Sequence, residues 1–535
     1  MDNMSHPIVK DVNNKIILIL LLVTLIKGVV FAFTIPIFKA PDENSHFMYI
    51  TYLQENKALP YIKFEGVPFD YEFWGKIADE RNTRREFNSL FYSAVNPKVK
   101  NFVEENGYSS IPVENFQMPF YYIICAVGSI FYSSDLFYVF YSSRIVTVLF
   151  GVGLVWISYL IAREVFPESK FMIYGLPLMI SFIPQFTFSA STLGNDVPVA
   201  FFVSLIFLQV VLMLKNELNN IKGYFYLGII CGFATIIKIS ALTILPVIFL
   251  FLVGISYVKS QGDTFRWGYA VKCLSVFFLT FGAIVFVPFL HNYFTYGELT
   301  GTKTLANYWQ QKVNFLSFDY DNTNIINMLF SVWLVRLIDS FWASFGWIEI
   351  WLPRIVYYIF YALMVFGIAG LIKMYKDAVQ DKIKPLKDQT YMICFFLMTI
   401  LSELVLFLKF IHNMGGAQGQ GRYFFIVLVP LISLMLYGIY YLVHCSQRQL
   451  VLTFYALCFG MIAINVFSYL RIVTYYYPVG IDNIFPYASP IKSSMSKGNL
   501  LILAITYLCV VMLIAKKYWK LKFSESLAGT INGDS

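Results

Sequence analysis

The stretch IILILLLVTLIKGVVFAFTIPIFKAPDENSHF, residues 16–47, decides the fold. It opens as an apolar run of the length that crosses a hydrocarbon layer as a helix, which takes roughly twenty residues. It ends abruptly in Pro41-Asp42-Glu43-Asn44-Ser45-His46-Phe47. Taken over 15–38, the run is too long and too poorly flanked by small residues for a cleaved signal peptide. It is therefore expected to stay as a first membrane span, in a chain that keeps its whole length. Proline can start a helix, and the two acids would then occupy its first turn. At helical spacing Asp42 and His46 are four apart and Glu43 and His46 three apart, which predicts one shared face. Acids at a helix start also complement its dipole. Phe47, Ile50 and Leu53, however, point to a helix lying on the membrane surface, with its carboxylates where water meets lipid.

The rest of the chain repeats the apolar theme. Of 535 residues, 58% are hydrophobic and 13% charged, against roughly 25% charged in an average soluble domain. Apolar runs near 16–38, 138–162, 171–190, 197–214, 223–239, 241–258, 272–290, 355–372, 391–410, 423–443, 449–468 and 499–515 predict about twelve spans. The expected fold class is therefore an all-α polytopic integral membrane protein. Its excess of 40 Lys and Arg over 32 Asp and Glu lies mostly in short connections, so it sets orientation and implies no nucleic acid partner. The seven cysteines, Cys125, Cys231, Cys273, Cys394, Cys445, Cys458 and Cys509, lack paired spacing and read as packing residues.

Charge also predicts topology. Arg163 and Lys170, Lys215 and Lys222, Lys259, Arg266 and Lys272, the basic loop 373–390, Arg448 and the tail 516–535 mark cytoplasmic connections. The connections near Asn195 and over 418–421 contain no Lys or Arg. Both termini are then cytoplasmic, provided that 118–132, too short to cross comfortably, is re-entrant or interfacial. Residues 39–117 become a first outer loop and 291–354 a second, whose apolar stretch 326–351 predicts another surface helix. The chemistry is expected to face outward.

Several polar groups converge on that face in this topology. Asp196 lies in Ser191-Thr192-Leu193-Gly194-Asn195-Asp196; it could cap the next helix, or provide the second acid that a proton-transfer site needs. Lys238 falls at an outer junction of two spans and Arg144 near the outer end of another. Arg422 follows Gly415-Gly416-Ala417-Gln418-Gly419-Gln420-Gly421. A cation at a helix start opposes the dipole, whereas Gly-rich backbone beside an Arg suits an anionic oxygen, phosphate above all. His412 and His291 are further outward-facing candidates for phosphate. Lys27 is costly inside a span unless paired or facing a cavity. Arg336 and Asp339, three apart, are spaced to satisfy each other. No GxxxxGK[ST], kinase set or HExxH is present, so the energy for any transfer comes with the substrate.

These residues resemble the polytopic glycosyltransferases of the GT-C architecture, which include protein O-mannosyltransferases and the aminoarabinose transferases of lipid A. The form Pro-Asp-Glu-x-x-His-Phe resembles a bacterial membrane-protein family of unknown function in that superfamily. Gln117-Met118-Pro119-Phe120-Tyr121-Tyr122 is similar to a Pro-Pro-Leu-Tyr-Tyr helix of such enzymes, and Ser143-Arg144, Asn195-Asp196, Lys238 and Gly421-Arg422-Tyr423 extend the likeness. The mannosyltransferases have one residue between Asp-Glu and His-Phe where this chain has Asn44 and Ser45. Met118 stands for one proline of the pair.

The resemblance implies inverting transfer of a sugar from a polyprenyl-phosphate donor to a glycan, lipid or protein acceptor of the cell envelope. It implies Asp42 as general base, Glu43 and His46 orienting the acceptor or tuning that base, and Asp196 as a second acid. Arg422, with Lys238 or Arg144, would stabilise the departing phosphate, and Asn195, His412, Gln418 and Gln420 join the expected substrate-binding set. A divalent Mg or Mn ion on Asp42 and Asp196 is compatible with carboxylate and water ligands, but no spacing is diagnostic. The competing functions are a transporter or flippase for lipid-linked glycans, a glycan polymerase or ligase, and a non-catalytic assembly or sensor protein. Transporters commonly show internal repeats and mid-membrane polar breaks.

Overall fold

In a hydrocarbon layer each backbone N–H and C=O must find its partner within the protein, and a helix provides one along its own length. The computed structural model describes residues 14–60, 117–215, 221–258, 267–304, 334–380, 387–413, 420–477 and 497–521. The described helices are α1 (Asn14–Thr34), α2 (Glu43–Asn56), α3 (Phe120–Gly128), α4 (Leu136–Val165), α5 (Lys170–Phe182), α6 (Pro184–Ala190), α7 (Asp196–Leu214) and α8 (Ile221–Ile237). They continue with α9 (Leu245–Val258), α10 (Trp267–Tyr296), α11 (Leu334–Trp342), α12 (Arg354–Val379), α13 (Lys387–Asn413), α14 (Leu428–Val443), α15 (Gln447–Tyr476) and α16 (Lys497–Trp519). Tight 3-10 segments, Ile239–Ile244 and Gly421–Val427, lead into α9 and α14.

The all-helical polytopic architecture matches the sequence reading, and each of the twelve apolar runs coincides with a described helix or bent pair of helices. Among the described residues nine helical stretches are long and apolar enough to cross a membrane, or ten with the bent pair α5 and α6 as one span. Ile221–Ile237 and Ile239–Gly254 are apolar but shorter. The run 171–190 is not one straight span either: it bends by 63° between α5 and α6. Pro184 at the start of α6 lacks the N–H that a continuous helix needs. Polar side chains take over the carbonyls at the break. Lys27 Nζ donates to the Ser181 carbonyl, Thr187 Oγ1 donates to it at 3.2 Å, and Asn465 Nδ2 donates to the Phe182 carbonyl at 3.2 Å. Lys27 also lies 3.9 Å from the centroid of the Phe182 ring. This is how a lysine inside an apolar helix is tolerated.

Helix positions differ in how much lipid they meet. In α7 and in Gly421–Val443, 72% of the most apolar window is buried, whereas in α10 and α16 the share is 22%. The first two are central and the others peripheral. Helices α12 and α14 approach so closely that a Cβ on Gly370 would lie 1.8 Å from the Gly438 carbonyl oxygen, so only glycine fits. All seven cysteines are free, and Cys394, Cys445 and Cys509 are exposed, so the packing reading fits only the other four.

The stretch expected as a surface helix over 326–351 differs as well. Its described part is α11 followed by a hairpin, β1 (Ser344–Phe345) and β2 (Ile350–Trp351), pairing Ser344 with Trp351 and Phe345 with Ile350. Gly346 and Ile348, with φ of 65° and 64°, turn the chain back and end helical geometry. Asp339 pairs with Arg354 at 2.5 Å and accepts from the Tyr361 hydroxyl, so its partner is not Arg336.

Candidate functional site

The connection between α1 and α2 carries the acidic motif, and a buried arginine shapes it. A guanidinium has five N–H donors, and Arg144 of α4 spends all of them. Nη1 donates to the carbonyls of Ala32 at 2.6 Å and Ile35 at 2.7 Å, and Nη2 to that of Pro36 at 3.0 Å. Nε and Nη2 also donate to the two Glu43 oxygens, each at 2.8 Å. Glu43 Oε1 additionally accepts from the Leu193 amide at 2.9 Å, which ties the motif to the loop before α7. Both side chains of this pair are 0% exposed. Trp347 Nε1 donates to the Phe38 carbonyl at 3.1 Å and the Tyr476 hydroxyl to that of Lys39 at 3.3 Å. The whole turn is held by its own carbonyls.

This arrangement corrects two expectations. Asp42 does not belong to the first helical turn: it precedes α2 in a left-handed conformation, φ 62°, and its side chain meets Arg422 where that of Glu43 meets Arg144. Asp tolerates that conformation better than most residues. Glu43 and Arg144, expected at the substrate, saturate each other inside the protein and reach no surface in this conformation.

Asp42 turns the other way, into a chain of alternating charges. Its Oδ2 accepts from Arg422 Nη2 at 2.5 Å. Arg422 Nη1 lies 3.5 Å from Asp196 Oδ2, and Asp196 Oδ1 accepts from Lys238 Nζ. The Asp42 side chain is 38% exposed, against 10% for Arg422 and 9% for Asp196. Lys238 Nζ and Arg422 Cζ lie 5.3 and 5.6 Å from the Tyr423 ring centroid, so one aromatic ring serves both cations. Arg422 Nε is buried with no acceptor among the described residues. Gly421 places this arginine: its amide donates to Ser340 Oγ at 2.8 Å, and a Cβ there would lie 2.1 Å from the Phe341 nitrogen. Gln420 caps the start of the 3-10 segment, its carbonyl accepting from the Tyr423 amide at 3.3 Å.

His46 and Asn195 form the floor beside this cluster. His46 Nδ1 is 2.8 Å from the Tyr122 hydroxyl, and Asn195 Nδ2 donates to Gln117 Oε1 at 3.2 Å. Tyr122 stacks on Tyr49 with centroids 4.0 Å apart. Burial pushes the imidazole of His46 down to about 3; Arg422 and Lys238 add to the effect while Asp42 and Asp196 oppose it. His46 is therefore neutral at physiological pH and acts as a hydrogen-bonding group.

The structure thus brings together Asp42, Arg422, Asp196 and Lys238, with His46 and Asn195 alongside. Gln418 lies outside the described residues, as does the side chain of His412, whose backbone belongs to α13. One acid escaped the sequence reading: Glu403 of α13, buried, accepts from Thr243 Oγ1 at 2.7 Å and feels the charge of Lys238. An ionisable residue inside the run 391–410 was the available signal. Among the described residues no three His, Cys, Asp or Glu converge, and Asp42 and Asp196, the expected Mg or Mn ligands, are each ion-paired with a cationic side chain.

Comparisons with known proteins add the following. The chain is similar to ArnT from Cupriavidus metallidurans bound to undecaprenyl phosphate, with 12% identity over 94% of this chain and 72% of that one and a TM-score of 0.45. The apo state of ArnT gives 12% identity, 95% and 72% coverage and a TM-score of 0.46. The Archaeoglobus fulgidus oligosaccharyltransferase in complex with Zn and sulfate shares 15% identity over 67% of this chain and 44% of its own, with a TM-score of 0.39. No curated protein matches. The pattern of one family, described as predicted membrane protein (DUF2142), matches residues 25–432, and the chain belongs to that family.

Proposed function

We propose that the chain is a membrane glycosyltransferase that moves a sugar from a polyprenyl-phosphate donor to a cell-envelope acceptor. The observation that carries this reading is the pairing of a partly exposed carboxylate, Asp42, with Arg422, in one cluster with Lys238. A base and cations for a leaving phosphate are what such a transfer needs. In the step, an acceptor hydroxyl attacks the anomeric carbon from the face opposite the phosphate, inverting it. Asp42 takes the hydroxyl proton as the new C–O bond forms. The bond from that carbon to the phosphate oxygen breaks, and its electron pair leaves on the phosphate, where Arg422 and Lys238 stabilise the growing charge. His46 and Asn195 bound the acceptor side, and Glu43 with Arg144 fixes the turn that presents Asp42.

Placed at the extracytoplasmic boundary, with both termini in the cytoplasm, this cluster can receive the lipid donor from the bilayer and the acceptor from water. The charge pattern of the connections supports that orientation. A strain lacking the protein is expected to accumulate a lipid-linked sugar and to lose one substituent from a surface polymer, lipid or protein. Surface glycan composition and carrier-lipid pools that do not change while the gene is expressed would contradict the reading.

A further inference from the structure

Asp196 bridges Lys238 and Arg422, the two cations assigned above to the donor's phosphate. Resting on the glycosyltransferase reading, we propose that Asp196 is a built-in substitute for the donor's phosphate: it holds Lys238 and Arg422 when no phosphate is bound, is displaced by the incoming lipid, and returns to expel the product. One of its oxygens accepts from Lys238 and the other faces Arg422 Nη1 at 3.5 Å. A single anionic group bridging two cations through two oxygens is the contact that two phosphate oxygens would make.

Two features indicate that the substitute is imperfect. Arg422 keeps a buried Nε without an acceptor, and a buried donor left unpaired is costly. A phosphate has more oxygens than a carboxylate and can satisfy more of the guanidinium. The 3.5 Å approach of Arg422 to Asp196 is also longer than its 2.5 Å approach to Asp42, so of the two carboxylates on Arg422 Asp196 is the more loosely held. Two cations in a poorly hydrated site, at 10% and 14% exposure, repel each other unless an anion lies between them. The same anion competes with the ligand. Competition matters most after transfer, when polyprenyl phosphate carries more negative charge than the sugar-bearing diester and would otherwise hold the cations.

The role is one of positioning and release, acting through Lys238 and Arg422, and it makes a prediction opposite in sign to a structural defect. Binding of undecaprenyl phosphate to the full chain in nanodiscs should tighten on the order of tenfold in Asp196→Asn, because a competing anion is gone. Asp196→Glu, which keeps the charge, should bind much as the wild type does. If Asp196→Asn does not fold, the same gain is read between Lys238→Gln and the Lys238→Gln/Asp196→Asn double variant, where Arg422 remains. In the wild type, isotope-edited infrared difference spectra should show an aspartate carboxylate band shifting when undecaprenyl phosphate is added. Equal or weaker binding on loss of Asp196 overturns the proposal and leaves the donor reading standing. No binding by any form overturns both.

Discussion

Two neighbouring acids, Asp42 and Glu43, each meet an arginine, and the two pairs are built for different ends. The Glu43–Arg144 pair is 0% exposed and complete, with every guanidinium N–H engaged. The Asp42–Arg422 pair has a carboxylate 38% exposed and a guanidinium with an orphan Nε. A saturated pair has nothing left to offer a ligand and serves the fold. An unsaturated one at the edge of water can exchange its partner. One residue of displacement, enforced by the left-handed backbone at Asp42, separates the two roles.

The largest expected effect lies with the saturated pair. Arg144→Met leaves Glu43 buried without a counter-charge and frees three carbonyls, which should cost roughly 3–5 kcal/mol. Thermal unfolding in detergent checks this, and a melting curve unchanged from wild type would erase the contrast between the pairs. Arg422→Gln should lower transfer roughly 10²–10³-fold, as loss of a group stabilising transition-state charge does. Its loss of stability should be smaller than that of Arg144→Met, because Lys238 remains on Asp196. Equal damage to folding in the two variants would show that both arginines are structural.

A smaller effect is expected at the bend between α5 and α6. Lys27→Met removes a donor from the Ser181 carbonyl, leaving Thr187, and should destabilise by about 1–3 kcal/mol. A neutral result would mean that the bend does not depend on this lysine. The smallest concerns His46. Its folded value, about 3, lies below the unfolded value near 6.5. The unfolded chain therefore takes up the proton first. Stability from this residue is fully present above about pH 6.5 and is lost as pH falls toward about 3. His46→Gln should flatten the pH dependence of unfolding in that window, and an unaltered slope would mean that His46 titrates normally.

Much of this was legible in the sequence because membrane burial is written in composition. The apolar runs marked where helices form, and Asp42, Asp196, Lys238 and Arg422 stood out as charges near their ends. What failed depended on distant partners. Nothing around Arg144 announces that its donors meet the end of α1 and Glu43, since those partners lie 101 to 112 positions away. The partner of Asp339 was misjudged for the same reason: local spacing favoured Arg336, whereas the fold brought Arg354. Pro184 marks the bend at Ile183, but an apolar run hides it, because hydropathy does not register a missing N–H.

Removal of the acceptor's proton by Asp42 is tested most directly by transfer from a polyprenyl-phosphate sugar by the reconstituted protein, wild type against Asp42→Asn. General-base catalysis predicts a loss of roughly 10²–10⁴-fold, with donor binding and melting behaviour retained. Transfer at the wild-type rate by a folded Asp42→Asn protein would contradict it.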